Sequence, residues 1–288
     1  MPRVESENLD LILLEDTTWV LVGEVDLPSY DFALSQFFAC RRPWNRPEQI
    51  RAIARFGAAT NYDDLYQQLA AEGIFLIHSP DQHRLASELP CWYPLLEGLT
   101  PKSLWFSEPP DLELLLQTIG LPLFLKGSRQ TSRHQAATSI VRSPEDYYRA
   151  VKIYKEDPIL RWQDFVCREF IQLRPVPSEL TEKIPPSFEF RSFWWRSHYI
   201  GAGQYWSTAY NWNQEEEKAA LALAQEAALR LDLPFVVIDV AQTITGEWIV
   251  IECNDAQESG YAAVSPFALW QNLITEERKL INANHTAR

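Results

Sequence analysis

The chain has 288 residues, of which 46% are apolar and 23% are charged. This length suits two packed units with sizeable cores, and the composition excludes an intrinsically disordered chain. The net charge of −13 disfavours a general nucleic-acid surface, because neutralising phosphates requires a basic face. A nucleotide held by a few local cations remains compatible with this charge.

The four cysteines lie far apart along the chain, so the sequence contains no zinc-ligand spacing. Free thiols in a large globular chain are typical of a reducing compartment. The start of the chain, Met1 to Asp10, carries acids and lacks the apolar segment of a signal peptide. No apolar run is long enough to span a bilayer. We therefore expect a cytoplasmic protein that does not cross a membrane.

The first third of the chain alternates strand-like and helix-like segments, which predicts a small α/β unit. Trp19–Glu24 and the apolar run Gly73–His78 are typical of strands. Pro47–Arg55 and Tyr62–Ala71 are predicted to be helices, and Asn61 precedes the second as a usual helix start.

A proline-rich segment around Pro90, Pro94 and Pro101 is predicted to be a loop. The next predicted helix is Asp111–Ile119, which Gly120 ends. We place a domain boundary here, between residues 1–118 and residues 119–288.

The remainder predicts a mixed α+β unit. A helix begins after Ser143, and Gln214–Leu231 is the clearest helix because three glutamates occupy its first turn. The predicted strands are Leu121–Lys126, Phe165–Leu173, Phe188–Trp195, Tyr199–Trp206, Phe235–Gln242 and Glu247–Asn254. The last four strands form two hairpins, the first of which turns at Arg196 and Ser197.

The last hairpin carries acidic side chains in otherwise apolar strands. Alternation places Asp239 on one face of its first strand, and Val250, Glu252 and Asn254 on one face of its second. Carboxylate and amide oxygens are the hard ligands that suit Mg²⁺ shared with phosphates. A polar outer face with two solvated acids is the alternative.

The register of this hairpin decides whether the two acids meet. A turn centred between Thr245 and Gly246 places Asp239 directly opposite Glu252, with Cβ atoms about 4.5–5.5 Å apart. A three-residue loop would shift the pairing by one position. Two opposed carboxylates repel unless a cation lies between them or one carboxylate is protonated.

The order of these motifs resembles that of the ATP-grasp superfamily. It is most similar to a small clade named for its arginine and lysine set, which in turn resembles cell-division-cycle-type translation-factor assembly chaperones. The resemblance extends from Gly73 to Ala268. Its motifs are Lys126 at a strand end, Cys167–Ile171, Glu189 to Arg191, Asp239, and Glu252 with Asn254.

The resemblance implies an α+β ATP-grasp fold, in which two α+β lobes grip ATP, preceded by a small α/β pre-ATP-grasp domain. Lys126 would contact the α- and β-phosphates, and Arg191 would contact the terminal phosphate and the charge developing there. Asp239, Glu252 and Asn254 would hold magnesium. A salt bridge between Arg191 and the neighbouring Glu189 is the alternative role for the arginine.

Backbone groups of Glu169, Phe170 and Ile171 would form the hinge that binds adenine, as the resemblance implies. Arg168 and Glu169 alternate to opposite faces, so at most one of these side chains enters the cleft. Asp255 is a further candidate, since members of the clade often carry an acid there.

The loop Gly127–Thr138 departs from the family, because it has one glycine where many members have several. Its arginines, Arg129 and Arg133, together with His134, are candidate phosphate partners. A second family lysine is not evident, and Arg84 lies near its expected place.

The implied activity is an ATP- and Mg²⁺-dependent carboxylate–amine ligase that works through an acylphosphate. The substrates would be small-molecule or peptide carboxylates and amines. Four tryptophans near the predicted site could line an acceptor pocket or belong to the core; they are Trp194, Trp195, Trp206 and Trp212. An ATP-binding assembly chaperone, a phosphotransferase and an unrelated globular protein remain alternatives. Substrate identity and oligomeric state are not readable.

Overall fold

The computed structural model describes residues 9–23, 32–129, 139–177, 185–207 and 210–286. Within these residues the strands are β1 Asp10–Leu14, β2 Thr18–Val22, β3 Cys40–Arg41, β4 Ile50–Arg55, β5 Ile74–Leu76, β6 Ser103–Phe106, β7 Leu123–Gly127, β8 Ile140–Val141, β9 Phe165–Glu169, β10 Glu189–Trp195, β11 His198–Gln204, β12 Phe235–Gln242 and β13 Trp248–Asp255. The helices are α1 Tyr62–Ala71, α2 Pro80–Ser87, α3 Leu89–Leu96, α4 Leu112–Thr118, α5 Pro144–Glu156, α6 Gln214–Leu231 and α7 Pro266–Thr286.

The described strands form three sheets, which we call the N-terminal sheet, the small-lobe sheet and the large-lobe sheet. Their strand orders are β3-β1-β2-β4-β5, β6-β9-β7-β8 and β11-β10-β12-β13, respectively. The N-terminal sheet is mixed, because β2, β4 and β5 run parallel while β1 pairs antiparallel with β2. The predicted α+β class and ATP-grasp architecture are confirmed by these sheets together with the comparisons reported below.

The prediction of a helix at Pro47–Arg55 is wrong. Residues Ile50–Arg55 form β4, which lies between β2 and β5 in the centre of the N-terminal sheet. Every residue of β4 except Arg51 is buried, because the strand is covered on both faces. The following helix α1 has the predicted bounds, and the Asn61 side chain caps it by accepting from the Asp64 backbone N–H.

The proline-rich segment is also helical, contrary to the loop prediction. A capping box at Ser79 starts α2, and α3 follows with Pro90 in its first turn and Pro94 inside it. Proline is tolerated in a first turn because those N–H groups have no intrahelical acceptor. These helices pack against α6 and the large-lobe sheet, so tertiary packing favours helix over loop here.

Strand β6 lies before the predicted domain boundary at residue 118, yet it pairs with β9 in the small-lobe sheet. The division into residues 1–118 and 119–288 stays a prediction. Strand β9 ends at Glu169, four residues before the predicted end at Leu173.

The hairpin β10–β11 turns at Arg196 and Ser197, as predicted, and both residues have positive φ, at 47° and 62°. Two consecutive left-handed residues are typical of the tight turns that match the twist of a hairpin. The last hairpin has Gln242 opposite Trp248, so its loop contains the five residues 243–247.

A β-bulge changes the register of the last hairpin between Asp239 and Val240. Val250 lies opposite Val240, whereas Glu252 lies opposite Asp239, so Ile251 is the extra residue. The predicted pairing of Asp239 with Glu252 is confirmed. The prediction that Val250 shares the face of Glu252 is wrong, because the bulge turns Val250 into the core beneath α6.

The large-lobe sheet has a core on each face. One core contains Trp194 and Val240 and packs under α3 and α6, while the other contains Trp195 and Val237 and packs under α7 and β1–β2. Trp194 and Trp195 are therefore core residues on opposite faces. Within the described part of the chain, no helix combines the length and apolar character that a bilayer-spanning segment needs.

Candidate functional site

Three neighbouring strands of the large-lobe sheet bring the predicted charged residues into one row. Arg191 on β10 lies opposite Asp239 on β12, and Asp239 lies opposite Glu252 on β13. Side chains opposite each other across a ladder share a face of the sheet, so the three project in the same direction. They occupy the face that also carries the core under α7, beyond the end of its apolar residues.

Arg191 and Asp239 form a bidentate ion pair. Arg191 Nε donates to Asp239 Oδ1 at 2.9 Å, and Nη2 donates to Oδ2 at 2.7 Å. Burial raises the pKa of Asp239 while Arg191 opposes the rise, and the same pair raises the pKa of Arg191 despite its burial. A third bond runs from Arg191 Nη1 to the Gly260 carbonyl at 3.0 Å.

Lys126 reaches this row from the small-lobe sheet. It lies near the end of β7, and its Nζ forms an ion pair with Glu252 Oε1. The Lys126 side chain is 4% exposed and that of Glu252 is 20% exposed, so the pair lies at the rim of the cleft between the two sheets. Two cations and two carboxylates therefore neutralise one another within one cleft.

The structure shows which of two neighbouring side chains lies on the cleft side of β9. Arg168 is buried between the small-lobe sheet and β13, where it donates to the Ile251 carbonyl at 2.8 Å and to Thr100 Oγ1 at 2.6 Å. Burial lowers its pKa to about 10. The Glu169 side chain is exposed at the end of β9, just before Phe170 and Ile171. The hinge role of these three residues stays a prediction.

The donor set fits a magnesium ion that is shared with phosphate oxygens. Asp239 and Glu252 are opposed carboxylates, and Asn254 is half-buried two residues further along β13. Across the described residues, no group of three or more His, Cys, Asp or Glu side chains is placed to hold an ion. The candidate set consists of two carboxylates and one amide, a set that leaves coordination positions for a ligand.

Glu189 does not pair with Arg191, although it lies two residues before it on the same strand. Its Oε2 accepts from Ser187 Oγ and from Trp206 Nε1, both at 3.1 Å. Burial, followed by the neighbouring Asp239, raises the pKa of Glu189 to about 8. Trp206 is thus placed beside the charged row, while the Trp212 ring stacks on Phe190 in the core under α6.

Tyr205 is a cleft residue that the sequence did not single out. Its ring lies 5.0 Å from the guanidinium carbon of Arg191. Arg191 is therefore held by a carboxylate, a carbonyl and an aromatic face, which fixes its orientation.

The polar loop after β7 is described only at its start. Arg129 turns toward the N-terminal unit, where its Nη2 lies 2.7 Å from the Ala59 carbonyl and 2.8 Å from His83 Nε2. Arg133 and His134 lie outside the described residues. Arg84, near the expected place of a second family lysine, pairs with Asp63 and Asp81 on α1 and α2.

A buried polar cluster at the end of β13 went largely unrecognised in the sequence. Asp255 Oδ2 lies 2.9 Å from Nδ1 of both His78 and His83. Phe235 N–H donates to His78 Nε2 at 3.1 Å, so the proton of that imidazole belongs on Nδ1. Although burial alone raises it, the two histidines hold the pKa of Asp255 well below its ordinary value.

Comparison with known families identifies the region that contains this site. The matching family profile describes an ATP-grasp domain, family 3 of the clade named for its arginine and lysine set. It matches residues 116–273, which is more than half of the chain. The matched range contains Lys126, Arg191, Asp239, Glu252 and Asn254. A search of curated proteins finds no match.

Solved structures with a similar fold include an ATP-grasp RimK domain protein from Sphaerobacter thermophilus, with a TM-score of 0.51, 17% identity and 71% of each chain covered. A D-alanine–D-alanine ligase from Bacillus anthracis has a TM-score of 0.52 and 13% identity, with 76% of each chain covered. An N5-carboxyaminoimidazole synthase from Aspergillus clavatus has a TM-score of 0.51 and 13% identity over 69% of this chain and 52% of that chain.

At these identities the solved structures show the fold, while the profile match shows the family. The chain belongs to the ATP-grasp superfamily, in family 3 of the clade named for its arginine and lysine set.

Proposed function

We propose that the chain is an ATP- and Mg²⁺-dependent ligase that joins a carboxylate to an amine through an acylphosphate. The observation that carries the proposal is the charged row of Lys126, Arg191, Asp239 and Glu252 between two sheets. Among the similar structures, one is named a ligase and another is in complex with ADP. Their names support the reaction class and leave the substrates open.

The charges in the row match those of Mg²⁺ and a triphosphate. Lys126 and Arg191 are the cations for phosphate oxygens, and Asp239, Glu252 and Asn254 are the oxygen donors for the metal. When bound, Mg²⁺ would neutralise charge on the β- and γ-phosphate oxygens. Binding exchanges each internal ion pair for a contact to the ligand, so the site keeps its charge balance.

The chemistry divides into two balanced steps. An oxygen of the substrate carboxylate forms a bond to the γ-phosphorus, and the bond from that phosphorus to the β-phosphate oxygen breaks to release ADP. The amine nitrogen then bonds to the acyl carbon, phosphate leaves with the carbon–oxygen electron pair, and the nitrogen loses a proton. Lys126 and Arg191 would stabilise the charge that develops during the first step.

The remaining predicted contacts complete the proposed site. Backbone groups of Glu169, Phe170 and Ile171 would bind adenine, Arg133 would contact phosphate, and Arg168 would support the cleft from β9. Residues 1–118 would help to bind the substrate. We also propose that the protein acts in the cytoplasm.

The proposal is tested by incubating the protein with Mg-ATP and paired libraries of small carboxylates, peptides and amines. We expect ADP and phosphate in equal amounts only when both acceptors are present, and a product whose mass is the sum of the two acceptors less one water. Lys126→Met should lose this activity, whereas Lys152→Met, on the exposed side of α5, should retain it.

Other outcomes identify the alternatives. A stable phosphorylated acceptor would make the protein a phosphotransferase. Tight Mg-ATP binding with no turnover in any mixture would support an assembly chaperone.

A further inference from the structure

Arg55 is a buried cation that no step of the proposed reaction uses. It lies at the end of β4 in the N-terminal sheet, and the whole residue is 1% exposed. Its Nη1 lies 2.5 Å from the Ala256 carbonyl, 3.2 Å from that of Gln257 and 3.0 Å from that of Ser259. A cation placed among three carbonyls fixes the backbone of the turn that follows β13.

The neighbouring residue on β4 holds the same turn. The backbone N–H of Ala54 donates to Gln257 Oε1 at 3.0 Å. Within the turn, Ser259 Oγ donates to the Asp255 carbonyl at 2.8 Å. The N-terminal sheet therefore contacts this turn through both a backbone group and a side chain.

The turn ends at Gly260, whose carbonyl accepts from Arg191 Nη1 at 3.0 Å. Arg191 donates to Asp239 through Nε and Nη2, so the Gly260 contact is what orients Nη1. Among the contacts of the described residues, three of the five guanidinium N–H groups are used in this way. The other two, one on each terminal nitrogen, are directed by these bonds.

A second anchor holds the start of the turn. Asp255 is bound by His78 and His83, which belong to the N-terminal unit and to α2. Gln257 Nε2 donates to Asp255 Oδ2 at 3.1 Å and to Tyr62 Oη at 3.1 Å. Both ends of the turn are thus tied to residues more than 150 positions earlier in the chain.

We propose that Arg55 is a positioning residue for the terminal phosphate, acting through the turn Ala256–Gly260 on Arg191. The N-terminal unit would then be an integral part of the nucleotide site, in addition to any role in substrate binding. This inference rests on the proposed function, because it requires Arg191 to contact the γ-phosphate. It predicts that disturbing Arg55 weakens binding of a triphosphate much more than binding of a diphosphate.

The test compares Mg-AMPPNP and Mg-ADP binding by calorimetry in the full chain. We expect Arg55→Gln to weaken Mg-AMPPNP binding by about tenfold or more and Mg-ADP binding by less than about threefold. The matched control is Arg51→Gln, because Arg51 lies on the same strand but donates to the Ile77 carbonyl, away from the turn. The control should leave both affinities unchanged.

A milder variant covers the possibility that Arg55→Gln does not fold. Ser259→Ala removes only the hydroxyl that closes the turn, and it should show the same triphosphate-selective loss with a smaller size. Equal weakening of both nucleotides, or no change in a folded variant, would overturn the role of Arg55 and leave the proposed function intact. A wild-type protein that binds neither nucleotide would overturn both.

Discussion

Asp239 and Glu252 lie directly opposite each other, although the five-residue loop of their hairpin would by itself pair Asp239 with Ile251. The β-bulge at Ile251 restores the pairing and turns the following residues toward the cleft. The bulged residue is itself held, because its carbonyl accepts from Arg168 Nη1 at 2.8 Å. The strand that carries the acids is thus fixed from the small-lobe sheet.

Replacing Lys126 should affect nucleotide and metal binding in opposite directions. Lys126→Met removes a cation for the phosphates, so Mg-ATP affinity should fall by about tenfold or more. The same change releases Glu252 from its ion pair, so affinity for Mg²⁺ alone should be unchanged or higher. Calorimetric titration of each ligand, with Lys152→Met as the control, measures both effects. A parallel fall in both affinities would contradict the placement of Glu252 beside the metal.

Removing Arg191 should destabilise the fold in a way that a second substitution reverses. Arg191→Met leaves Asp239, which is 1% exposed, without its bidentate partner, and this should cost about 3–5 kcal/mol of unfolding free energy. Asp239→Asn in the Arg191→Met background removes the unpaired charge and should recover much of that loss. Urea unfolding of the two single variants and the double variant measures the coupling. Additive losses would show that the pair does not act as a unit.

Glu189 should make the stability pH-dependent. Its folded-state pKa is raised from 4.5 to about 8, so the folded chain binds more protons than the unfolded chain between these values. Its contribution to stability is therefore lost as pH rises from about 4.5 to about 8. Glu189→Gln should flatten the fall in midpoint of urea unfolding over that interval. Glu156→Gln, an exposed acid on α5, should run parallel to wild type; a Glu189→Gln curve that also ran parallel would contradict the shift.

Gly203 should not tolerate a side chain. It lies opposite Arg191 on β11, and a Cβ there would be 2.6 Å from the Ala263 carbonyl carbon and 2.7 Å from the Val264 nitrogen. Gly203→Ala should cost about 1–3 kcal/mol of stability through overpacking. It should also weaken Mg-ATP binding, because the displaced backbone follows the turn that orients Arg191. Unchanged stability in urea would show that this segment moves without cost.

Local patterns predicted the elements whose signals lie within a few residues. Helix α6 begins at Gln214 and ends at Leu231 as predicted, because the Asn213 capping box and the first-turn glutamates define its start. The turn at Arg196 and Ser197 was predictable because a polar pair separates two aromatic strands. The pairing of Asp239 with Glu252 was predicted from a symmetric turn, and it holds for a different reason, the bulge.

Elements that depend on distant contacts were not predictable in the same way. The sequence of Ile50–Arg55 has arginines at helical spacing, and only its position between two other strands makes it a strand. The contacts of Arg55 with the turn after β13 join residues about 200 positions apart. No local pattern marks such a pair, so its discovery required the fold.

The most direct test of the account is a thermal shift with Mg-ATP in the wild type and in the double variant Asp239→Asn with Glu252→Gln. A hundredfold ligand excess over Kd stabilises a protein by about 2.7 kcal/mol, which corresponds to a rise of a few degrees in Tm. We predict this rise in the wild type and in a control carrying Glu113→Gln with Glu156→Gln, both exposed on helices. We predict little or no rise in the Asp239 and Glu252 double variant. An equal rise in all three proteins, or none in the wild type, would contradict the assignment of this cleft to Mg-ATP.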